Sequence, residues 1–189
     1  GKLSDFKEAN ILSQKNLIQS STRNKVIKFI FISSPSVYFE PINKFNISEN
    51  DPLPKHFVNN YAKSKFEAEE LLRASSIPYV IFRPRALIGR GDHVIMPRLI
   101  NAFDKNKLKI IGDGENLVDL TPVSNVVDAI LSSINNEKAL NQTFNISNGS
   151  PVKLWDKINY VLERLGRKKI KKKVSYKLAF IVVFLIESI

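Results

Sequence analysis

The chain has 189 residues, 43% hydrophobic and 25% charged, and carries a formal net charge of +11. That length and apolar fraction fit one globular domain and exclude a disordered or fibrous chain. Cysteine is absent, which excludes disulfides, a thiolate nucleophile and a cysteine-based metal site, and His56 and His93 are too widely separated to suggest a histidine site, so no metal is expected.

Residues 4–22 place apolar side chains at Phe6, Ala9, Ile11, Leu12, Leu17 and Ile18, which predicts a helix capped by Ser4 or Asp5. Val26–Ile32 is β-branched and aromatic and reads as a buried parallel strand, ended by Ser33-Ser34-Pro35. Residues 39–57 are rich in Pro and Asn and read as a loop over a site. Tyr61–Ala74 reads as a helix, Tyr79–Phe82 as a strand, Pro97–Phe103 as a helix, and Lys107–Ile111 and Val118–Val123 as short strands. Ser124–Ile134 reads as a capped helix with Asn125 and Asp128 in its first turn. Thr143–Ile146 reads as a strand, and Pro151–Leu165 as a helix opened by proline and stopped by Gly166. Strands alternating with helices predict an α/β fold with a parallel sheet.

The end of the chain differs in character. Lys177–Ile186 is apolar, follows the basic clusters at 167–169 and 171–173, and is too short to span a bilayer. Residues 176–189 are therefore expected to form a tail helix, separate from a body over 1–175. The tail either rests on an anionic membrane surface or docks on protein. The remaining basic residues are scattered and accompany no nucleic-acid motif, so no nucleic-acid partner is expected.

The chemistry-bearing signal is Tyr61-Ala62-Lys63-Ser64-Lys65, downstream of Phe31-Ile32-Ser33-Ser34-Pro35-Ser36-Val37-Tyr38. A Tyr phenol titrates near pH ~10 and is a poor base at neutral pH. A Lys ammonium one turn along the same helix face favours the phenolate. A serine hydroxyl following a buried strand can hold a substrate oxygen beside that phenol. Ser33 and Ser36 compete with Ser34 for that part.

These residues resemble the extended short-chain dehydrogenase/reductase superfamily, in particular its 3β-hydroxysteroid dehydrogenase-like branch. Phe6–Ile11 is similar to the fourth-helix Asn segment, Ser33–Val37 to a Ser-Ser-Pro-Ser-Val segment, and Tyr61 with Lys65 to the YxxxK pair. Arg83-Pro84, Gly89–Asp92, Gly112–Asn116 with Asp119, and Val123–Asp128 resemble later landmarks in order. Asn145–Gly149 with Pro151 and Trp155 is most like sterol dehydrogenases and bacterial 2-alkyl-3-oxoalkanoate reductases. Ser13 and Gln14, where relatives usually carry Gly-Thr, and Arg90, where they carry Pro, depart from the pattern.

The resemblance implies part of a Rossmann-type doubly wound parallel sheet with a small carboxy-terminal α/β substrate-binding portion. It implies NAD or NADP as cofactor and a small hydroxy or keto substrate, either a steroid-like or alkyl-chain 3β-hydroxy/3-oxo compound or a nucleotide sugar. Tyr61 would exchange the proton, Lys65 would hold the nicotinamide ribose, and Ser34 would hold the substrate oxygen. Ser33 would lie at the cofactor, and Pro84 would bring backbone to the nicotinamide carboxamide. Asn10 would support a water relay or a helix irregularity, or be only a polar surface residue. Arg83 would anchor a loop, and Asp119, Asn125, Asp128 and Trp155 would be scaffold.

None of the seven glycines forms the G-x-G-x-x-G phosphate fingerprint. The chain is therefore expected to be the carboxy-terminal part of a longer enzyme, or an inactive fragment of one. Its partner would be a missing amino-terminal half or an upstream chain. The strand at 26–32 would be left with an open edge. A homodimer and a cytoplasmic or membrane-surface location complete the expectation.

Overall fold

The structure is a computed structural model in which residues 3–179 are described. Its elements run α1 (Leu3–Phe6), a π-helical segment (Lys7–Leu12), α2 (Ser13–Arg23), β1 (Phe29–Ile32), a 3-10 turn (Pro35–Tyr38), α3 (Asn60–Arg73) and β2 (Tyr79–Pro84). They continue through β3 (Leu87–Ile88), α4 (Ile95–Asp104), β4 (Ile110–Ile111), β5 (Leu117–Val118), β6 (Thr121–Pro122) and α5 (Val123–Ile134). A 3-10 turn (Glu137–Ala139), β7 (Gln142–Ile146), β8 (Val152–Lys153), α6 (Leu154–Arg164) and β9 (Lys173–Val174) follow. The expected tail over 176–189 lies largely outside the described residues, within which no helix is long and apolar enough to cross a membrane.

Two compact units emerge, one from residues 1–87 with 121–147 and one from 88–120 with 148–189. The first is built on a parallel sheet of order β1-β2-β7, with Ile30 opposite Val80 and Phe82 opposite Phe144. Side chains alternate across a strand, so the sheet has two distinct faces. On one face Val80, Phe82 and Ala139 form a core with Ile30, Ile32, Phe144 and Ile146 beneath Ala129 and Ile130 of α5. On the other, Arg83 meets Glu69 of α3. The crossovers β1–α3–β2 and β2–α5–β7 advance in one direction but pass on opposite faces, so they have opposite hands. One of them departs from the usual right-handed rule.

The expected helix over 4–22 is present but interrupted. Ser4 and Asp5 lie inside α1 rather than capping it. The backbone N–H of Ser13 donates to Glu8 O, five residues back, which is the wide π spacing, and Ser13 Oγ donates to the same carbonyl at 3.1 Å. The strand expected over 26–32 is shorter. Lys25 takes a φ of 51°, Ile27 is 87% exposed, and Lys28 turns away to cap α5. Its Nζ donates to the carbonyls of Ser133 (2.6 Å), Ile134 (2.7 Å) and Asn136 (3.3 Å). The amino end of α5 has no side-chain cap and starts directly after Pro122, so the expected cap is not made there.

In the second unit β4 pairs with β9 in parallel and β5 with β8 antiparallel, around Ile110, Ile158, Leu162 and Ile170. The strands expected over 107–111 and 118–123 are reduced to two-residue pieces. Pro151 does not open the following helix as expected. The Asp119 carboxylate accepts from the N–H groups of Asn148 (2.7 Å) and Ser150 (3.1 Å), the chain then pairs as β8, and α6 begins at Leu154. α4 is capped by Asp92, whose carboxylate accepts from the N–H groups of Val94, Ile95 and Met96.

Candidate functional site

Helix α3 carries the central row. Asn59 caps it by accepting from the Ala62 N–H at 2.9 Å, which fixes where Tyr61 falls in the first turn. Steps of four then align Tyr61, Lys65, Glu69 and Arg73 along one side. The Tyr61 ring is half-buried and stands edge-on to Phe6 of α1, with ring centroids 6.0 Å apart. Lys65 reaches the end of β1, where its Nζ donates to Ile32 O at 3.1 Å and lies 5.0 Å from the Phe31 ring centroid. Burial pushes the Lys65 ammonium below its ordinary range, and the Glu69 charge one turn away opposes that.

The two residues after Ile32 are Ser33 and Ser34, both buried. Ser34 heads the 3-10 turn, where its Oγ accepts from the Ser36 N–H at 3.2 Å and donates to Ser36 Oγ at 2.9 Å. Ser36 thus partners Ser34. Ser33 is 5% exposed and its Oγ lacks a hydrogen bond of normal geometry, although it lies close enough to Glu69 to help hold that carboxyl ionised. Pro84 closes β2 at a buried position. Lys65, Ser33 and Ser34 are thus gathered at the end of β1.

Asn10 sits in the π-helical segment, so the helix irregularity is present. Its Nδ2 donates to Ser64 Oγ at 3.0 Å, and Ser64 Oγ donates to Tyr61 O at 2.9 Å. The wide turn brings an α1–α2 side chain onto the helix of Tyr61 and Lys65. The sequence reading left Ser64 out, because a serine inside a helix gives no signal before its partner is known.

Sequence reasoning also missed the buried ion pair below the site. Arg83 Nε donates to Glu69 Oε1 at 2.8 Å, its Nη2 donates to Oε2, and its Nη1 donates to the Tyr38 hydroxyl. Arg73 Nη2 adds a bond to Glu69 Oε2 at 3.0 Å and one to Thr143 Oγ1 at 2.8 Å. Burial alone would raise the Glu69 carboxyl, but the hydrogen bonds and charge of Arg83, with Ser33 and Arg73, hold it below the usual carboxylate range. The expectation that Arg83 anchors a loop understates its part, since it ties β2 to α3. The detectable signal was an acid at the i+8 position from Tyr61, on the side of α3 where neighbouring Ala68 and Leu72 are fully buried. A cavity of about 340 Å³ beside Arg73 and Arg83 includes none of Tyr61, Lys65 or Ser34, and both arginines already have carboxylate partners.

Among the described residues no cluster of three metal-ligating side chains is found. The end of β1 fits the nicotinamide end of a dinucleotide in its donor groups: the Lys65 ammonium and the buried hydroxyls of Ser33 and Ser34 lie there, with Ser33 beside the Glu69 carboxyl. No glycine-rich phosphate cradle accompanies it in the sequence.

The model of the NAD dependent epimerase/dehydratase family matches residues 2–147. The 3beta-hydroxysteroid-dehydrogenase/decarboxylase isoform 1 of Arabidopsis thaliana is 33% identical, over 94% of this chain and 44% of its own length. The 2-alkyl-3-oxoalkanoate reductase of Stenotrophomonas maltophilia is 27% identical, over 95% of this chain and 57% of its own length. Among solved structures, the UDP-glucuronic acid 4-epimerase from Bacillus cereus in complex with NAD superposes with a TM-score of 0.74 at 26% identity, over 94% of this chain and 60% of that one. The chain spans about half the length of the curated relatives it matches. The Rossmann-type fold of these neighbours agrees with the parallel sheet described above.

Proposed function

Since the chain belongs to the NAD-dependent epimerase/dehydratase family, we propose that it supplies the proton-transfer and substrate-side part of an NAD(P)-dependent oxidoreductase. The substrate is a 3β-hydroxy or 3-oxo compound, steroid-like or alkyl-chained. The observation that carries this is Lys65, donating to the last residue of β1 with Ser33 and Ser34 next in the chain and Tyr61 one turn back on α3.

Tyr61 gives its phenolic proton to the substrate oxygen in reduction and takes it back in oxidation. Lys65 opposes the negative charge that develops on Tyr61 and holds the ribose of the nicotinamide. Ser34 donates to the substrate oxygen by turning its hydroxyl away from Ser36. Asn10, through Ser64, steadies the first turn of α3. Ser33 and Pro84 line the nicotinamide end of the cofactor site. When bound, the dinucleotide supplies the hydride that the protein cannot.

Two features favour an apolar substrate. The dehydrogenase and reductase relatives align over almost the whole chain. The loop after Tyr38 also exposes Phe39, Ile42 and Phe45. A nucleotide-sugar epimerase or dehydratase activity is the second reading, supported by the Bacillus cereus neighbour. A fragment inactive without a cofactor-binding half is the third, supported by the missing glycine fingerprint. The partners belong to the same proposal: a cofactor-binding half, a second copy of this chain, and a membrane surface for the apolar end at a cytoplasmic location.

The test is a fluorescence titration of NADH and NADPH with the chain alone and with a separately produced nucleotide-binding half, followed by oxidation assays on hydroxysteroids and on nucleotide sugars. Hydroxysteroid turnover by the combination, abolished in Tyr61→Phe with cofactor binding retained, supports the reading. Near-normal turnover in that variant removes the role of Tyr61, and turnover of nucleotide sugars alone moves the assignment to the second reading.

A further inference from the structure

Asn148 and Gly149 form the single Asn-Gly step of the chain, and both are exposed in the turn between β7 and β8. Gly149 takes a φ of +68°, and a β-carbon built on it would meet no atom within 4 Å. The backbone around it is held unevenly. The Asp119 carboxylate accepts from the N–H of Asn148 at 2.7 Å and from the N–H of Ser150 at 3.1 Å. The N–H of Gly149, between those two, donates to no described residue. A backbone nitrogen with no β-carbon on its own residue and open space around it is the nucleophile that an asparagine side chain meets with least hindrance.

Asp113-Gly114 offers the same backbone chemistry in opposite surroundings. Asp113 Oδ1 accepts from the Glu115 N–H at 2.9 Å, and Asp113 O accepts from Lys173 Nζ at 2.6 Å. The space beside Gly114 is taken by Ile110 Cγ2, with Trp155 next to it. The Asp113 carboxyl is thus occupied and its glycine crowded, whereas the turn at Asn148 has room to rearrange.

We propose that Asn148 is a site of spontaneous covalent modification, closing to a succinimide on the Gly149 nitrogen and reopening to aspartate and isoaspartate, at a pace set by Asp119. In the first step the bond from Gly149 N to Asn148 Cγ forms and the Cγ–Nδ2 bond breaks. The proton lost by Gly149 N leaves with Nδ2 as ammonia. In the second step water adds to either imide carbonyl and cleaves its bond to that nitrogen, so water is the one co-reactant. Asp119 restrains the first step in two ways. Swinging Gly149 N onto Cγ draws the Ser150 N–H away from the carboxylate that also holds Asn148. The negative charge of Asp119 also opposes loss of the neighbouring amide proton. Isoaspartate routes the chain through its side-chain carbon, which lengthens the backbone by a bond of about 1.5 Å. It also leaves a carboxylate beside Asp119, and like charges repel there. The turn then loses the clamp that ties it to the end of β5. The chain crosses from the first unit to the second between Ser147 and Asn148, so the inserted bond falls at a crossing.

The experiment incubates the whole chain in mildly alkaline buffer at physiological temperature and maps its peptides by mass spectrometry over time. An isoaspartyl methyltransferase with labelled S-adenosylmethionine marks the isoaspartate. The mass gain that exchange of ammonia for water gives is expected first at Asn148, with the methyl label on the same peptide. Asp119→Asn and Asp119→Ala are expected to quicken the conversion about tenfold, the effect of releasing one hydrogen bond to a charged group. Asp119→Asn keeps an acceptor oxygen, so an unchanged circular dichroism spectrum in that variant separates release of the turn from unfolding. Asn148 left intact while other asparagines convert overturns the proposal, as does isoaspartate at Asp113 ahead of Asn148. Equal rates in the natural chain and in both Asp119 variants overturn it as well.

Discussion

Replacing Glu69 with alanine strands the Arg83 guanidinium. Arg83 is 3% exposed and Glu69 fully buried. The substitution removes both Arg83–Glu69 bonds and leaves Arg83 with the Tyr38 hydroxyl, while Arg73 keeps Glu70 and Thr143. Breaking a buried pair by removing one partner costs about 3–5 kcal/mol, because the remaining charge stays desolvated. Arg73 is partly exposed and can turn to water, so its lost bond adds little. At roughly 2–4 °C per kcal/mol for a chain of this size, the midpoint is expected to fall by about 6–20 °C. Urea unfolding followed by circular dichroism reads the free energy, and thermal melts read the midpoint. The double variant Glu69→Leu/Arg83→Met, which removes both charges, is expected to recover much of the loss. A loss below about 1 kcal/mol in Glu69→Ala would show that water reaches Arg83 and would refute the reasoning.

Other expectations follow from the same contacts. Because the Glu69 carboxyl is held below its ordinary range, its stabilisation is complete above the unfolded pKa of about 4.3 and is lost as pH falls through the folded value. The stability gap between the natural chain and Glu69→Gln, measured by urea unfolding, should therefore narrow below about pH 4, and a gap that widens with acid would contradict this. Lys28→Met removes the cation from the last carbonyls of α5 and is expected to cost about 1–2 kcal/mol, with amide exchange quickening first in the final turn of that helix. Gly114→Ala sets a side chain at a φ of +82°, with its Cβ 2.8 Å from Ile110 Cγ2. A loss of about 1–3 kcal/mol is expected, visible as a lowered melting midpoint and a changed Trp155 emission, since that ring lies 3.6 Å from the same point.

The alternating pattern and the paired signals at Ser33–Ser34 and Tyr61–Lys65 made the three sheet strands and α3 readable from residues alone. Local chemistry sets those features: β-branched runs, a capping Asn and a four-residue step. What stayed hidden depends on partners far along the chain. Lys28 looks like an interior residue of a strand until the carbonyls it caps, more than a hundred residues later, are known. Pro151 carries the signature of a helix start, and only the bonds from Asp119 reveal the strand placed between it and α6. Glu69 and Arg83 look like surface charges because each hides the other's cost of burial. The helix over 4–22 shows the converse: its apolar spacing survives one extra residue, so periodicity alone does not expose the π-helical segment.

That segment also sets what a single codon can do to this chain. A π turn holds one residue more than the α-helical repeat needs. Deleting Ile11 or Leu12, which follow Asn10, would therefore restore regular helix, with every backbone bond still made. The elements before the deletion would rotate by about 100° against those after it. The Asn10–Ser64 bond would then be lost while α2, α3 and the sheet remained. An inherited three-base deletion there would leave a protein that folds, accumulates and passes a stability screen, with its helix support under Tyr61 gone.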